Sequence, residues 1–266
     1  MLRKEYPSDL TDAEWKVIEP LLPAESAIGH PREVDFREIV NAIFYVQREG
    51  CTWRGLPSDF PPWQTIYNYL RHWQRLGIWQ PVHDQLRIQL RQTTGKTTQP
   101  SAAILDSQSV KTTEKRGRST ATTQGKTVKG RKRFILVDTL GLLIAVVVIE
   151  ASCPERLGGA AVVFEASEAA TEYLSVVWVD QRFIGANFAR VVNQLTGAEV
   201  EVICRHSAEF EILPKPWIVE RTFAWWNSCR RLSKDYEVLP EMSQAMIYGV
   251  MTRLMLRRLA KLQEQT

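Results

Sequence analysis

The stretch "RFILVDTLGLLIAVVVIEA", residues 133–151, contains two apolar runs on either side of Gly141. Both runs are rich in Ile, Val and Leu, which favour β-strands, and each has the length of a strand. The glycine between them predicts a turn, so the whole stretch predicts a β-hairpin. The run at 141–149 is far too short to cross a bilayer, which indicates a buried strand. The middle of the chain therefore predicts a buried sheet.

Strands and helices alternate on both sides of this hairpin. Upstream, "SAAILDSQSV" (101–110) predicts a first strand. Downstream, the patterns predict a helix at about 158–172, a strand at 174–180, a helix at about 186–195, a strand at 198–203 and two helices at about 217–232 and 240–263. The order β-β-β-α-β-α-β-α is typical of an α/β fold in which helices flank a mixed sheet.

The first hundred residues predict a separate all-α region. "LTDAEWKVIEPLLP" has a capping-box pattern, Thr11-x-x-Glu14, and "VDFREIVNAIFYVQREG" (34–50) has apolar residues at helical spacing. Further helices are predicted at 61–77 and about 79–92. We interpret residues 1–93 as a helix-turn-helix-like DNA-binding domain, 94–102 as a linker and 103–266 as a catalytic domain. The alternative for residues 1–93 is a plain helical bundle with a core of aromatic residues.

Charge is distributed unevenly along the chain. The net charge of +4 divides into zero over residues 1–100, +6 over 101–149, −6 over 150–220 and +4 over 221–266. Such asymmetry favours a polyanionic partner.

The N-terminus lacks the apolar core of a signal peptide, so we expect a cytoplasmic, nucleoid-associated protein without a membrane partner. The four cysteines form no C-x-x-C pair, which favours reduced thiols.

Two aspartates lie in apolar strand patterns. Asp106 alternates onto one face of its strand with Ile104 and Gln108, and Asp180 ends "LSVVWVD". Open α/β sheets usually have their functional sites at such strand ends. A carboxylate in a buried strand is unfavourable unless a hydroxyl, an arginine or a divalent metal ion pairs with it.

Glu220 is the third carboxylate that is a candidate for the functional site. On a helix over 217–232, an apolar stripe of Ile218, Thr222 and Trp225, continued by Cys229 and Leu232, would face the core, and Glu220 would lie nearly opposite it with Asn227 and Arg231. The simplest interpretation is a solvated face. If Glu220 instead faced the strand ends that carry Asp106 and Asp180, the three carboxylates could hold two divalent cations for phosphodiester chemistry. Oxygen ligands favour Mg²⁺ or Mn²⁺.

A basic run lies between the first two predicted strands. "KTTEKRGRSTATTQGKTVKGRKR" (111–133) has nine Lys or Arg and one Glu. A flexible cationic segment beside a carboxylate site is typical of an enzyme that neutralises DNA phosphates. Residues on the aromatic and basic helix at 61–77 are candidates for reading terminal repeats. The predicted DNA-binding residues are Lys129, Arg131, Lys132, Arg133, Arg221, Arg230, Arg231, Arg71 and Arg75.

Several long motifs resemble one family. "ILDSQSVK", "VVW-VD" and "W-VERTFAW-N-CRRLSKDYE-LPE" are similar to motifs of DDE-type insertion-sequence transposases of the insertion sequence 5 group, and the N-terminal "LTDAEWKVIEPLLP" is similar to their helical domain. The resemblance covers nearly the whole chain. It implies an RNase H-like catalytic domain with Asp106, Asp180 and Glu220 as catalytic and metal-binding residues. It also implies oligomers on paired DNA ends, hydrolysis at those ends, and attack of the freed 3′-hydroxyl on target DNA.

The chain departs from the family pattern at named positions. Arg182 and Phe183 replace the glycine and tyrosine of the usual D-x-G-Y turn, Pro216 replaces a common arginine, Phe134 stands where histidine is frequent, and "ASCPERLGGA" (151–160) replaces an acidic stretch. A turn that needs positive φ would be strained by Arg182. The alternative to an active transposase is therefore a copy that only binds DNA. Another RNase H-like nuclease, such as a junction resolvase, would fit the chemistry without the N-terminal motifs.

Overall fold

The computed structural model describes residues 3–24, 34–113, 121–123, 126–203 and 214–264. Its N-terminal part is helical, as predicted. The capping box is formed: the Thr11 hydroxyl accepts from the Glu14 N–H at 3.2 Å, and the Glu14 carboxylate accepts from the Thr11 N–H at 2.8 Å. The helices are α1 (Asp12–Ile18), α2 (Phe36–Glu49), α3 (Trp63–Arg75) and α4 (Trp79–Thr93), with 3-10 turns at Glu19–Leu21 and Trp53–Gly55.

The second part is a mixed sheet with helices. Its strands are β1 (Ala102–Lys111), β2 (Ala121–Thr123), β3 (Lys126–Asp138), β4 (Leu143–Glu150), β5 (Val176–Val179) and β6 (Glu199–Val202). Its helices are α5 (Glu155–Glu165), α6 (Glu168–Thr171), α7 (Ala186–Thr196), α8 (Pro214–Asn227) and α9 (Pro240–Gln263), with 3-10 turns at Gln181–Phe183 and Arg230–Leu232.

The sheet has the topology expected of an RNase H-like domain. β3 pairs antiparallel with β1 on one side and with β2 and β4 on the other, while β1, β5 and β6 are parallel neighbours. Parallel neighbours need a crossover between them, and α5, α6 and α7 supply those connections. The predicted fold class, an RNase H-like mixed sheet preceded by helices, is confirmed.

The hairpin predicted around Gly141 is β3–β4. Gly141 forms the turn with φ of +76°, and the Asp138 carboxylate accepts from the N–H groups of Leu140 and Leu142 at 2.9 Å each. β3 begins seven residues earlier than predicted, so much of the basic run is strand rather than flexible segment. The reason is that Lys126 and Lys129 pair with β2, and Arg131 and the residues after it pair with β1 on one side and β4 on the other.

The C-terminal helix α9 links the two parts of the fold. It packs against α4 and α1 in the helical part and against β4 in the sheet. One continuous apolar cluster includes side chains from α2, α4, β3, β4 and α9. Arg91 on α4 also forms a buried ion pair of 2.6 Å with Asp138 at the end of β3. The domain boundaries at 93 and 103 stay a prediction, but the two parts share a core.

Two further findings apply only to the residues that the structure describes. None of their helices has the length and apolar character needed to span a membrane. Cys51, Cys153 and Cys229 form no disulfide with another described cysteine.

Candidate active site

The structure brings Asp106 and Asp180 together. β1 and β5 are parallel with Ala102 opposite Val176 and Ile104 opposite Trp178. The same register continued by two residues sets Asp106 beside Asp180, which directly follows β5. Their side chains are 25% and 43% exposed, so this edge of the sheet is open to solvent.

Arg182 bridges the two aspartates. Its Nη2 donates to Asp106 Oδ1 and its Nε donates to Asp180 Oδ2, each at 2.6 Å. The Arg182 backbone N–H also donates to Asp180 Oδ1 at 2.8 Å, because Asp180 caps the 3-10 turn Gln181–Phe183. A 3-10 turn has negative φ, so the strain expected for an arginine in place of glycine does not occur.

Glu155 joins this cluster from the start of α5. Its Oε1 lies 3.6 Å from Arg182 Nη1 and accepts from Lys132 Nζ at 3.1 Å, and its Oε2 accepts from the Ser107 hydroxyl at 2.8 Å. Glu155 was not among the predicted site residues. The available signal was an acidic residue at the beginning of a helix directly after an apolar strand.

The electrostatics of Asp106 reflect this setting. Burial raises the pKa of Asp106 to about 6, and the charges of Asp180 and Glu155 act in the same direction. The N–H of Ser107, which donates to Asp106 Oδ1 at 2.7 Å, and the charge of Arg182 oppose that shift. For Arg182, burial acts to lower the pKa, but the bonds to its carboxylate neighbours outweigh burial and raise it.

Glu220 is exposed on α8. The buried stripe of this helix consists of Val219, Thr222, Phe223 and Trp226, which is rotated from the predicted stripe. Thr222 fixes the helix on the β3–β4 turn, since its hydroxyl donates to the Gly141 carbonyl at 2.9 Å. Among the described residues, no three acidic, histidine or cysteine side chains converge so as to hold a metal ion. The structure thus unites two of the three predicted carboxylates.

Three predicted DNA-binding residues on β3 have internal partners, and the prediction for them is wrong. Arg131 is fully buried and donates to Asp235 Oδ2 at 3.1 Å and to the Val238 carbonyl at 2.6 Å. Arg133 is buried and donates to the Leu232 carbonyl at 2.8 Å; burial lowers its pKa to about 10. Lys132 is 6% exposed and holds Glu155. Successive side chains of a strand point to opposite faces of the sheet, and both faces are covered here: Arg131 and Arg133 contact the segment 232–238, whereas Lys132 contacts Glu155 at the start of α5.

Arg231 is a fourth correction. It is 7% exposed and pairs with Glu237, with Arg231 Nη2 2.7 Å from Glu237 Oε1, because the predicted helix ends at Asn227 and Arg231 falls in a 3-10 turn. Arg230 in the same turn is exposed and lies 3.3 Å from Glu49.

The other basic candidates remain at the surface or lie outside the described side chains. Arg221 is half-buried, lies over the rings of Trp217 and Trp225 at 4.5 and 5.0 Å, and donates to the Leu140 carbonyl at 3.0 Å. On α3, Arg75 is exposed and Arg71 is half-buried. These two line an open cavity of about 510 Å³ with Thr65, Asn68, Tyr69 and His72. The side chains of Lys129 and Pro216 lie outside the described residues.

Phe134 also has a structural account. It is fully buried on β3, 6.5 Å from the Phe183 ring in an edge-on arrangement. A Cβ at Gly158 on α5 would approach the Phe134 ring to 2.2 Å, so the glycine allows this close contact. An imidazole at position 134 would lie in the same apolar layer.

The fold and the paired aspartates at the strand ends define an RNase H-like domain. The model of the "Transposase DDE domain" family matches residues 97–255, more than half of the chain, and the chain therefore belongs to this family. A second family model, described as "Putative transposase of IS4/5 family (DUF4096)", matches residues 10–83. The chain is also 31% identical over 108 residues to the "Insertion element IS402 uncharacterized 16.2 kDa protein" of Burkholderia cepacia, covering 38% of this chain and 72% of that protein.

Membership of this family implies a divalent metal ion. The donors of Asp106 and Asp180 suit such an ion, since hard carboxylate oxygens are the ligands that Mg²⁺ and Mn²⁺ prefer. In this conformation, however, the oxygens that converge do so on the Arg182 guanidinium. The donor chemistry therefore fits a metal ion, and Arg182 takes the position between the donors.

Proposed function

We propose that this protein catalyses DNA-mediated transposition of an insertion sequence. It would bind the terminal inverted repeats and hydrolyse phosphodiester bonds at the element ends in a metal-dependent reaction. The freed 3′-hydroxyl would then attack a phosphodiester of the target DNA, which joins the element end to the target strand and releases a 3′-hydroxyl of the target. The observation that supports this most directly is the pair of aspartates, Asp106 and Asp180, at adjacent strand ends of an RNase H-like sheet.

Asp106, Asp180 and Glu220 are the proposed catalytic and metal-binding residues. Asp106 and Asp180 would hold a divalent cation, Mg²⁺ or alternatively Mn²⁺, from rigid positions on the sheet. When bound, such an ion activates an attacking oxygen and stabilises the leaving oxygen. Glu220 would complete the set from α8, which packs against β1. Carboxylates on rigid elements keep their geometry better than carboxylates on loops.

Double-stranded DNA is the proposed partner, bound by a homo-oligomer on paired ends. Arg71 and Arg75 on α3 are the proposed contacts to the terminal repeat, with Thr65, Asn68 and His72 as polar neighbours in the same cavity. Arg221, Arg230 and Lys129 are the proposed phosphate contacts near the catalytic domain. Phosphate contacts position the duplex, while groove contacts specify sequence.

The second candidate function is binding of DNA without catalysis. Two observations favour it: Arg182 donates hydrogen bonds to both aspartates, and Glu220 does not join them among the described residues. A copy of this kind would retain the helical region and its affinity for the repeats.

A strand-cleavage assay tests the proposal. It uses labelled duplex DNA with the element's own terminal repeats, Mg²⁺ or Mn²⁺, and wild-type, Asp106→Asn and Glu220→Gln proteins. Glu199→Gln on β6 is the matched control, since this exposed carboxylate has the same charge and lies outside the proposed site. We expect metal-dependent nicking at the repeat end for wild type and the control, and loss in both other variants. Repeat-specific binding without nicking in either metal would support the second candidate instead.

A further inference from the structure

Arg182 occupies the space between the two carboxylates that the proposed function needs for a metal ion. We propose that Arg182 is a built-in counter-cation that competes with the divalent metal for Asp106 and Asp180. Metal binding at this site then requires the guanidinium to leave. This inference rests on the proposed function and specifies how the site is regulated.

The hydrogen bonds of Arg182 use most of the available oxygens. Both oxygens of Asp180 accept from Arg182, one from its backbone N–H and one from Nε. Asp106 Oδ1 accepts from Arg182 Nη2 and from the Ser107 N–H. Hydrogen bonds between ionised partners at 2.6 Å are strong, and a metal ligand must give them up. A metal ion that enters would therefore have to displace the positively charged guanidinium, because the space between the two aspartates is already occupied.

The surroundings allow Arg182 to leave without unfolding the site. Its side chain is 48% exposed, so the guanidinium can turn into solvent. The next residue, Phe183, is fully buried and packs against Phe134 and Phe188, which anchors the turn while Arg182 moves. Buried Arg131, by contrast, has partners on several sides and no path to solvent.

The charges around Arg182 also favour competition with the metal ion over a purely structural role for this arginine. The guanidinium is surrounded by three carboxylates, those of Asp106, Asp180 and Glu155, and Lys132 also pairs with Glu155. Removal of Arg182 leaves the two aspartates with no cation between them. Two adjacent carboxylates without a counter-ion attract a divalent cation strongly, because their mutual repulsion is relieved when it binds.

The test is Mn²⁺ binding to the full-length protein without DNA, measured by electron paramagnetic resonance of the free ion at pH 8. Proteins are wild type, Arg182→Gln, Arg182→Lys and the double variant Arg182→Gln/Asp106→Asn. Arg156→Gln is the matched control, because Arg156 is an exposed arginine on α5 that bonds the Ile184 carbonyl and contacts neither aspartate. A thermal unfolding scan confirms that each variant is folded.

We expect Arg182→Gln to bind Mn²⁺ about tenfold or more tightly than wild type, as removal of a competing unit charge near the site implies. Arg182→Lys should lie between the two, since lysine keeps the charge but loses the planar fork. The Mn²⁺ affinity of the control Arg156→Gln should stay within about twofold of that of wild type, well below a tenfold change. The double variant should lack the increase in affinity seen in Arg182→Gln.

Equal affinity of wild type and Arg182→Gln, with loss of binding in the double variant Arg182→Gln/Asp106→Asn, would overturn the inference and leave the proposed metal site intact. Absence of Mn²⁺ binding in Arg182→Gln would overturn both. If Arg182→Gln fails to fold, Arg182→Lys decides the question, because an unchanged affinity in that variant contradicts competition.

Discussion

Arg131 and Arg182 are both paired with aspartate, but they lie in opposite environments. Arg131 and Asp235 are almost fully buried, and both have further hydrogen bonds: Arg131 to two backbone carbonyls and Asp235 to the Ser243 hydroxyl. Arg182 is half-exposed, and its ion-pair partners are three carboxylates. A buried pair with several further hydrogen bonds supports the fold, whereas a half-exposed cation shared between carboxylates is available for exchange.

The largest effect should come from the buried pair. Asp235→Ala removes the carboxylate from the Arg131 guanidinium and leaves a buried charge without its counter-ion, so we expect a loss of about 3–5 kcal/mol in the free energy of unfolding. Urea denaturation measures this change. The exposed Glu199→Ala should change stability by less than about 0.5 kcal/mol. A loss below about 1 kcal/mol for Asp235→Ala would remove the distinction between the two arginines.

The next effect concerns His83, a buried ionisable group that lacks the partners of Arg131. His83 on α4 is fully buried against the Tyr248 ring of α9, its Nδ1 lies 3.5 Å from Asp84, and burial lowers its pKa. The unfolded chain therefore binds a proton that the folded chain does not. Stability should be complete above pH 6.5 and fall below it, with a slope approaching about 1.4 kcal/mol per pH unit.

Unfolding of wild type and His83→Leu across pH 5 to 8 checks this. Because other groups titrate in the same range, the difference between the two proteins is the quantity of interest. We expect the free energy of unfolding of wild type, minus that of His83→Leu, to decrease as the pH falls, since only wild type has the proton-linked loss. A difference that is constant with pH would mean that His83 has the same pKa in both states.

A smaller effect is expected at Arg182. Exposed ion pairs contribute about 0–1 kcal/mol, so Arg182→Gln should lower the free energy of unfolding by less than about 1 kcal/mol even though it breaks two short bonds. Urea denaturation beside Asp235→Ala compares the two clusters directly. A loss above about 2 kcal/mol would show that Arg182, like Arg131, holds the fold together.

The smallest effect on stability belongs to the exposed arginine of α3. Arg75→Ala should leave the free energy of unfolding within about 0.5 kcal/mol of wild type. If Arg75 contacts a phosphate, the slope of log affinity against log salt should fall by about one. Binding to a terminal-repeat duplex at several salt concentrations measures it, with the buried Arg133→Met as a comparison that should leave the slope unchanged. An unchanged slope in Arg75→Ala would remove that assignment.

Local patterns in the sequence predicted most of the elements. The capping box of α1, the β3–β4 hairpin around Gly141 and the bounds of α9 depend on residues close together in the chain, which is why periodicity and turn residues reveal them. The juxtaposition of Asp106 and Asp180 was also accessible, because both lie at the ends of apolar strands and parallel strands meet at one edge.

Local sequence patterns could not predict the roles of residues whose partners lie far away in the chain. Arg131 meets Asp235 across 104 residues and Arg182 meets Asp106 across 76, so no local pattern distinguishes the structural arginine from the exchangeable one. A run of basic residues looks the same whether its side chains face solvent or a neighbouring layer.

The sequence by itself therefore determined the helical region, the order of strands and helices, and the three carboxylates that resemble those of the family. Only the tertiary structure decided which charges are buried, that α9 joins the helical region to the sheet, and that Arg182 lies between the aspartates. The physical reason is that secondary structure follows from neighbouring residues, whereas burial and ion pairing follow from how the layers pack.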